Sequence, residues 1–538
     1  MANFRVLFIY PNQRTESLVP PSLAIFSRIL KDRGYTVDLF DTTNYDLDAD
    51  DYIQTKFTKE RNDSKGYVQS LLVRPFESRA ELHRKHTRAV DGLRKKVEEF
   101  KPDLIAVTST ESTFLLAINL LKAIKEYQIP NIVGGVFPTF APHRALSFPE
   151  VDMICVGEGD NLLVELCERM SKGQDYSKVT SLWLKKKNGD IVKNTMTDPV
   201  NVDEVPDPDF ELFEEIQLYR PMYGKVYKMI PVETMRGCPY TCTFCNSPAQ
   251  NYLYKERTGK NFFRKRSLER VHNELVYYRD VMKAEYIYFW ADTFFAWSEK
   301  EFDAFCEMYS DIKLPFWCQT RVETVTEDKL RKIKDIGLHF LGFGMEHGNE
   351  KFRAEVVSRK YSNETAIEAL KIPKLFDVPF SMNNIIGFPD ETRELSDDTI
   401  EIKRNIQPTQ MSCSILQPYY GTPIRPLCEA KGYLHPDILC PANSENTVMN
   451  LPTYTPDQLI GLKRTFAMYV RFPKSRWPEI RIAEQLTPEG DAMCRKLGEE
   501  FTATFFSTPK TDITEQGNPI PVDVQKRLAA DDTLPLNN

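Results

Sequence analysis

The chain has 538 residues, too many for one ordinary core, so two or three domains are expected. Its formal charge of −7, with 41% hydrophobic and 27% charged residues and no long single-sign block, excludes a dedicated nucleic-acid surface, which would show a basic stripe. No apolar run is long enough to span a bilayer, and the start of the chain (Met1 to Arg5) does not read as a signal peptide.

In chain order, residues 4–10 (FRVLFIY) form a short run rich in β-formers, as a strand buried on both faces requires. Ser22 can cap a helix over 23–33 that Gly34 ends, and 35–40 reads as a second strand. Residues 46–99 interrupt the alternation with a charged insertion, helical in pattern over 79–100. It resumes with strands at 104–108, 131–133 and 151–156 and helices over 114–127 and 162–170. Such alternation predicts an α/β domain with a doubly wound parallel sheet, Rossmann-like, over 1–185. Ligands of these sheets lie beyond the carboxyl ends of the strands, where loops 11–21, 109–113, 134–139 and 157–161 are rich in Gly, Ser, Thr and Pro.

A connector at 186–229 precedes a second alternation over 230–430. Strands are expected at 229–232, 286–290, 316–320, 340–345, 381–386 and 411–416, with helices over 268–281, 300–310, 327–336, 363–376 and 399–405. That makes six β/α units, fewer than the eight of a closed barrel. A mainly helical C-terminal region at 431–506 includes a helix over 456–471, and the tail at 507–538, rich in Pro, Thr, Asp and Asn, reads as disordered.

The eleven cysteines are an odd number and mostly isolated, which fits a reducing cytoplasm better than a disulfide framework. Three of them, Cys238, Cys242 and Cys245, stand in a C-x3-C-x2-C spacing directly after the strand at 229–232. Thiolates this close in sequence can bind three corners of one metal centre. Structural zinc normally takes four protein ligands, and paired C-x2-C elements are absent here. A [4Fe–4S] cluster held by three cysteines leaves one iron open. The competing reading is three unrelated core cysteines.

This spacing, with Phe244 before the last cysteine, resembles the signature of the radical SAM superfamily. The resemblance implies a partial (β/α)6 barrel and S-adenosylmethionine on the open iron. Upstream, the VGGVFPT run at 133–139, the VDMICVGEGD run at 151–160 and the VPDPD hinge at 205–209 resemble the cobalamin-binding domain of cobalamin-dependent radical SAM proteins. No histidine fits the Asp-x-His-x-x-Gly pattern of a lower axial ligand: His83 and His86 lie in the insertion, and His143 follows Ala141-Pro142.

What the resemblance implies residue by residue is as follows. Phe244, Glu346, Asn383 and Gln417 would contact S-adenosylmethionine, Asn383 standing where the family often has Gly. Arg321 would grip its carboxylate, with a structural salt bridge as the competing role. Ser109, Thr110, Glu111, Ser112, Gly134, Gly135, Gly157 and Glu158 would contact cobalamin. Cys318, Cys413, Tyr419 and Tyr420 are candidates for catalysis or the substrate pocket, against packing as the plain alternative. The expected reaction is radical methylation of an unactivated carbon in a small molecule or peptide, fed by a one-electron reductant such as flavodoxin or ferredoxin. Cyclisation or rearrangement by the same architecture is one alternative. A non-catalytic corrinoid-binding protein with a structural metal site is the other.

Overall fold

In the computed structural model, which describes residues 4–13, 19–47 and 84–505, the first apolar run becomes strand β1 (Arg5–Tyr10), buried along its centre. Helix α1 (Pro21–Lys31) and strand β2 (Thr36–Asp41) follow, and β2 pairs parallel to β1. Pro21 opens α1, where its fixed φ suits the first turn and its missing N–H is no loss. Next come α2 (Ala89–Phe100), β3 (Leu104–Thr108), α3 (Phe114–Ala123), β4 (Asn131–Gly134), β5 (Met153–Cys155) and α4 (Asp160–Ser171). The parallel strands run in the order β2-β1-β3-β4-β5, a doubly wound sheet whose direction switches between β1 and β3.

Two expectations for this half are corrected. The helix expected over 79–100 begins at Ala89, because the buried stripe of Ala89, Leu93 and Val97 starts there. Lys85–Arg88 is extended and pairs with Tyr45–Asp46, while residues 79–83, including His83, lie outside the described residues. Beyond α4, an antiparallel hairpin of β6 (Leu182–Lys185) and β7 (Ile191–Lys193) extends the sheet past β5. The expected boundary at 185 therefore cuts a hairpin whose Asn188-Gly189 turn had been read as connector.

The second sheet opens with an antiparallel pair, β8 (Tyr219–Met222) and β9 (Lys225–Val232), so the expected boundary at 230 falls inside β9. Strands β10 (Tyr286–Phe289), β11 (Phe316–Arg321), β12 (Leu338–Glu346), β13 (Phe380–Ile386) and β14 (Gln410–Ile415) continue it in parallel. With β9 this gives the six parallel strands of a partial barrel. Its helices are α5 (Ser247–Thr258), α6 (Leu268–Asp280), α7 (Glu299–Tyr309), α8 (Glu327–Asp335), α9 (Asn363–Leu375) and α10 (Arg393–Ile406). Those from α6 to α10 each begin after a Ser or Thr whose side chain accepts a backbone N–H of the first turn: Ser267, Ser298, Thr326, Ser362 and Thr392. Thr392 explains why α10 starts well before the expected 399.

Helices α11 (Pro456–Arg471), α12 (Trp477–Glu484) and α13 (Pro488–Phe505) share one apolar core with Ile386, Cys413 and Ile415 of β13 and β14. The tail at 507–538 lies outside the described residues. Among the described residues, no helix is long and apolar enough to cross a membrane.

Candidate functional site

The carboxyl ends of the two sheets face one cavity of about 890 Å³. The first sheet contributes Phe8, Thr108, Gly134, Gly135 and the stretch from Gly157 to Asp160; the barrel contributes Phe244, Cys245, Trp290, Asp292, Glu346 and Asn383. The loop carrying the three cysteines joins β9 to α5. Gly237 turns it at φ +86°, and a Cβ there would meet the Phe262 ring at 2.9 Å, so the residue before Cys238 must be glycine.

Cys238 and Cys242 are buried, and Cys245 lines the cavity. Burial pushes the Cys238 thiol up and the Cys245 thiol up to about 11, the nearby Asp292 carboxylate adding to the latter. Ligation by a metal would remove those protons. Among the described residues, no three His, Cys, Asp or Glu side chains are grouped as a single-ion site would need.

Four of the five residues expected at S-adenosylmethionine line the cavity. Glu346 ends β12 at φ +68°, a strained backbone for a non-glycine, and lies 3.3 Å from Arg359 Nη2. Burial raises its carboxyl above the ordinary range, and Arg359 opposes this. Asn383 Oδ1 accepts the Ser412 hydroxyl at 2.9 Å. Gln417 Nε2 donates to the Asn446 carbonyl at 3.0 Å, while its Oε1 is buried without a partner. Phe244 packs its ring under Arg359 at 5.7 Å. Arg321 is the exception, since it is buried outside the cavity lining and takes the salt bridge that competed with the ligand role, to Glu323.

On the other wall, of the residues expected at cobalamin, Gly134, Gly135, Gly157 and Glu158 line the cavity, but Ser109, Thr110, Glu111 and Ser112 do not. Thr110 and Ser112 bond to each other at 3.0 Å. Glu111 accepts the N–H groups of Tyr420 and Cys440, both at 2.7 Å, so it fastens the two halves together. Glu158 likewise bridges halves: Arg236 Nη1 and Arg264 Nη2 both donate to it at 2.7 Å, and its own N–H donates to the Tyr254 hydroxyl. Burial opposes its charge, but hydrogen bonds from Arg264 and the charge of Arg236 hold its carboxyl below the usual range.

The catalytic candidates fare differently. Tyr419 lines the cavity, its hydroxyl donating to the Pro441 carbonyl at 2.8 Å. Tyr420 does not; it lies flat against Arg425 at 3.5 Å. Cys318 and Cys413 are buried off the cavity, in the packing between strands and helices, and burial pushes the Cys413 thiol up to about 11. Side chains alternate along a strand, so these two fall on the helix-covered face while Ser412 and Ser414 reach the lumen. His143 pairs with Lys193 at 3.1 Å and is not at the cavity. Sequence reasoning missed Arg359 and Tyr254, which no motif marks. Just past the end of β10, Asp292 accepts the Ser247 hydroxyl at 2.7 Å.

A sequence model of the Radical SAM superfamily matches residues 232–401, and one of the B12 binding domain matches residues 80–167. The chain is 29% identical over 383 residues to an uncharacterized methyltransferase of Pyrococcus horikoshii, covering 69% of this chain and 79% of that one. It is 27% identical over 350 residues to an anaerobic magnesium-protoporphyrin IX monomethyl ester cyclase of Cereibacter sphaeroides, covering 62% of this chain and 54% of the relative. The fold is similar to the radical S-adenosylmethionine methyltransferase TsrM of Kitasatospora setae with cobalamin and [4Fe–4S] cluster bound, at TM-score 0.60 and 15% identity, over 93% of this chain and all of that one. It is also similar to the cobalamin-dependent radical enzyme OxsB, at TM-score 0.62 and 16% identity, over 99% of this chain and 76% of that one.

The cysteine loop, the six-strand barrel and the matched domain define a radical SAM enzyme. More particularly, the chain joins a B12 binding domain to a Radical SAM domain; the latter implies a [4Fe–4S] cluster and S-adenosylmethionine, the former cobalamin. The residues present fit these groups. Three thiols stand on one loop, with Cys245 at the cavity, Gln417 keeps an unpaired buried oxygen there, and the first sheet meets the cavity with Gly135 and Gly157, where an added Cβ would collide.

Proposed function

We infer that this enzyme transfers a methyl group to an unactivated carbon of a small molecule or peptide. The observation that carries the reading is the shared cavity, lined on one side by the glycine loops of the B12-type sheet and on the other by the cysteine loop and barrel strand ends. When bound, the cluster supplies one electron to S-adenosylmethionine and the corrin supplies the methyl group. Cys238, Cys242 and Cys245 serve as cluster ligands in this reading. Phe244, Glu346, Asn383 and Gln417 orient S-adenosylmethionine, and Gly134, Gly135 and Gly157 let backbone approach the corrin. Glu158, clamped by Arg236 and Arg264, fixes the cobalamin loop against the cysteine loop. Trp290 and Tyr419 provide aromatic wall that excludes water. A flavodoxin or ferredoxin in a reducing cytoplasm is the proposed electron source.

Similarity to the cyclase gives the alternative to be tested against this reading, ring closure or rearrangement in the same cavity. Reduced, reconstituted protein incubated with S-adenosylmethionine should release 5′-deoxyadenosine, and Cys242→Ala should abolish it. Equal release from both proteins would overturn the assignment. S-adenosylhomocysteine among the products separates the readings, since recharging of the corrin with methyl produces it and ring closure does not.

A further inference from the structure

The three thiols differ in what surrounds them. Cys238 Sγ lies 3.6 Å from the Thr293 hydroxyl, and Cys245 Sγ accepts the Ser247 N–H at 3.4 Å; the charged group acting on both is the Asp292 carboxylate, not a cation. Cys242 Sγ instead accepts from Arg321 Nη1 at 3.2 Å, and the charge of the buried Arg359 guanidinium also acts on it. One sulfur of the three is thus set between guanidinium groups.

Arg321 is not arranged to receive an incoming carboxylate. Its Nε donates to Glu323 Oε1 at 2.6 Å, its Nη2 reaches the same oxygen at 2.5 Å, and its face covers the Tyr240 ring at 4.1 Å. A guanidinium is a rigid planar fork, so fixing one edge on Glu323 and one face on Tyr240 aims the remaining Nη1 at the sulfur. The group is buried and outside the cavity lining, with its donors already committed to Glu323 and the Cys242 sulfur. Arg359 is constrained in the same way, with Nη1 on the Gly344 carbonyl and Nη2 facing Glu346.

A donor on a ligating sulfur acts on electron transfer for a simple reason. The reduced cluster carries one more negative charge than the oxidised one, so a cationic N–H···S bond stabilises it more and raises the potential. Burial strengthens the effect by removing competing water. We propose that Arg321, held by Glu323 and Tyr240, is a positioning residue that raises the reduction potential of the centre at Cys238, Cys242 and Cys245 through its bond to the Cys242 sulfur, and is not the S-adenosylmethionine carboxylate anchor. The proposal rests on the reading that these cysteines hold a [4Fe–4S] cluster. Arg359 supplies a second nearby positive charge, so removing Arg321 lowers the potential without abolishing assembly.

The test is a redox titration, followed by electron paramagnetic resonance, of anaerobically reconstituted wild type, Arg321→Met and Arg321→Gln, with iron content and S-adenosylmethionine affinity measured alongside. In Arg321→Met the ratio of reduced to oxidised cluster at a fixed potential should fall about tenfold, a shift of about 59 mV for one electron. Arg321→Gln keeps an N–H donor without the charge, and its shift should be smaller and in the same direction. Iron content should match wild type, and S-adenosylmethionine affinity should change less than about twofold. A wild-type potential in a fully loaded Arg321→Met protein overturns the proposal, as does a large loss of S-adenosylmethionine affinity at unchanged potential. If Arg321→Met fails to assemble, Arg321→Gln decides: a negative shift supports the proposal and an unchanged potential overturns it. Loss of the cluster from both variants with intact secondary structure also overturns it, in favour of a structural role. Wild type lacking four iron per chain, or Cys242→Ala keeping a wild-type spectrum, would instead defeat the underlying reading.

Discussion

At Gly135 the backbone has φ +109°, and an added Cβ would sit 2.3 Å from the Ser109 carbonyl oxygen. Both the torsion and the space require glycine, because the obstacle is backbone and cannot swing aside. Gly135→Ala is expected to cost roughly 2–3 kcal/mol in denaturant unfolding and to weaken corrin retention. Gly173 gives the control: its φ of +63° is also left-handed, but nothing lies within 4 Å of a Cβ, so Gly173→Ala should cost only about 1 kcal/mol. Equal costs would show that the close approach to Ser109 is not what holds the position. Gly135 was legible because only glycine tolerates such a site. The side on which Cys318 and Cys413 fall was not, since one residue of register reverses a strand's faces and nothing local fixes the parity.

Between α10 and the strands it covers, Lys403 is fully buried and donates to the Met382 and Ser412 carbonyls and to Asn384 Oδ1. Burial lowers it from 10.5 to about 7, against the opposing charges of Cys413 and Glu346. Across that window the folded state binds fewer protons than the unfolded one, so this group makes stability rise with pH and fall as pH drops towards 7. Lys403→Met lacks that dependence, so its melting temperature minus that of wild type should decrease from pH 7 to pH 9. A difference that stays flat would place the Lys403 titration outside the range. At this scale the sequence was most informative, since six apolar runs ending in polar strand ends marked the barrel strands in order. Helix α5 escaped because Ser247 and Tyr254 are its buried residues, too few to print a stripe. Hairpin β6–β7 escaped because its half-exposed strands read like a linker.

The two halves meet through contacts that join residues hundreds of positions apart, and these no local pattern can reveal. Glu111 receives N–H groups from residues 309 and 329 positions further on, Tyr420 and Cys440, with Arg425 Nη1 at 3.5 Å. Arg425 ties the same segment together by donating to the Pro418, Pro436 and Ile438 carbonyls. Gly421 sits against the first domain so closely that a Cβ would lie 2.2 Å from the Phe140 ring. The segment held in this way supplies Gln417, Tyr419 and Asn443 to the cavity wall, so the clasp sets how the barrel side closes over the B12-type sheet. Ionised or protonated, each carboxyl oxygen keeps a lone pair for its N–H, whereas an amide would turn an NH2 with no acceptor towards one of them. Glu111→Gln should therefore cost about 1–3 kcal/mol and raise hydrogen exchange at Tyr420 and Cys440. Burial raises Glu111 to about 7, with the Cys440 and Tyr420 bonds and the Arg425 charge pulling the other way. A raised group contributes stability that is full below its ordinary value of 4.5 and is lost as pH climbs through about 7. The melting temperature of wild type minus that of Glu111→Gln should accordingly be largest near pH 5 and shrink by pH 8. A gap that widens over that range would mean that the two N–H bonds and Arg425 outweigh burial, making the clasp a charged one that tightens with rising pH.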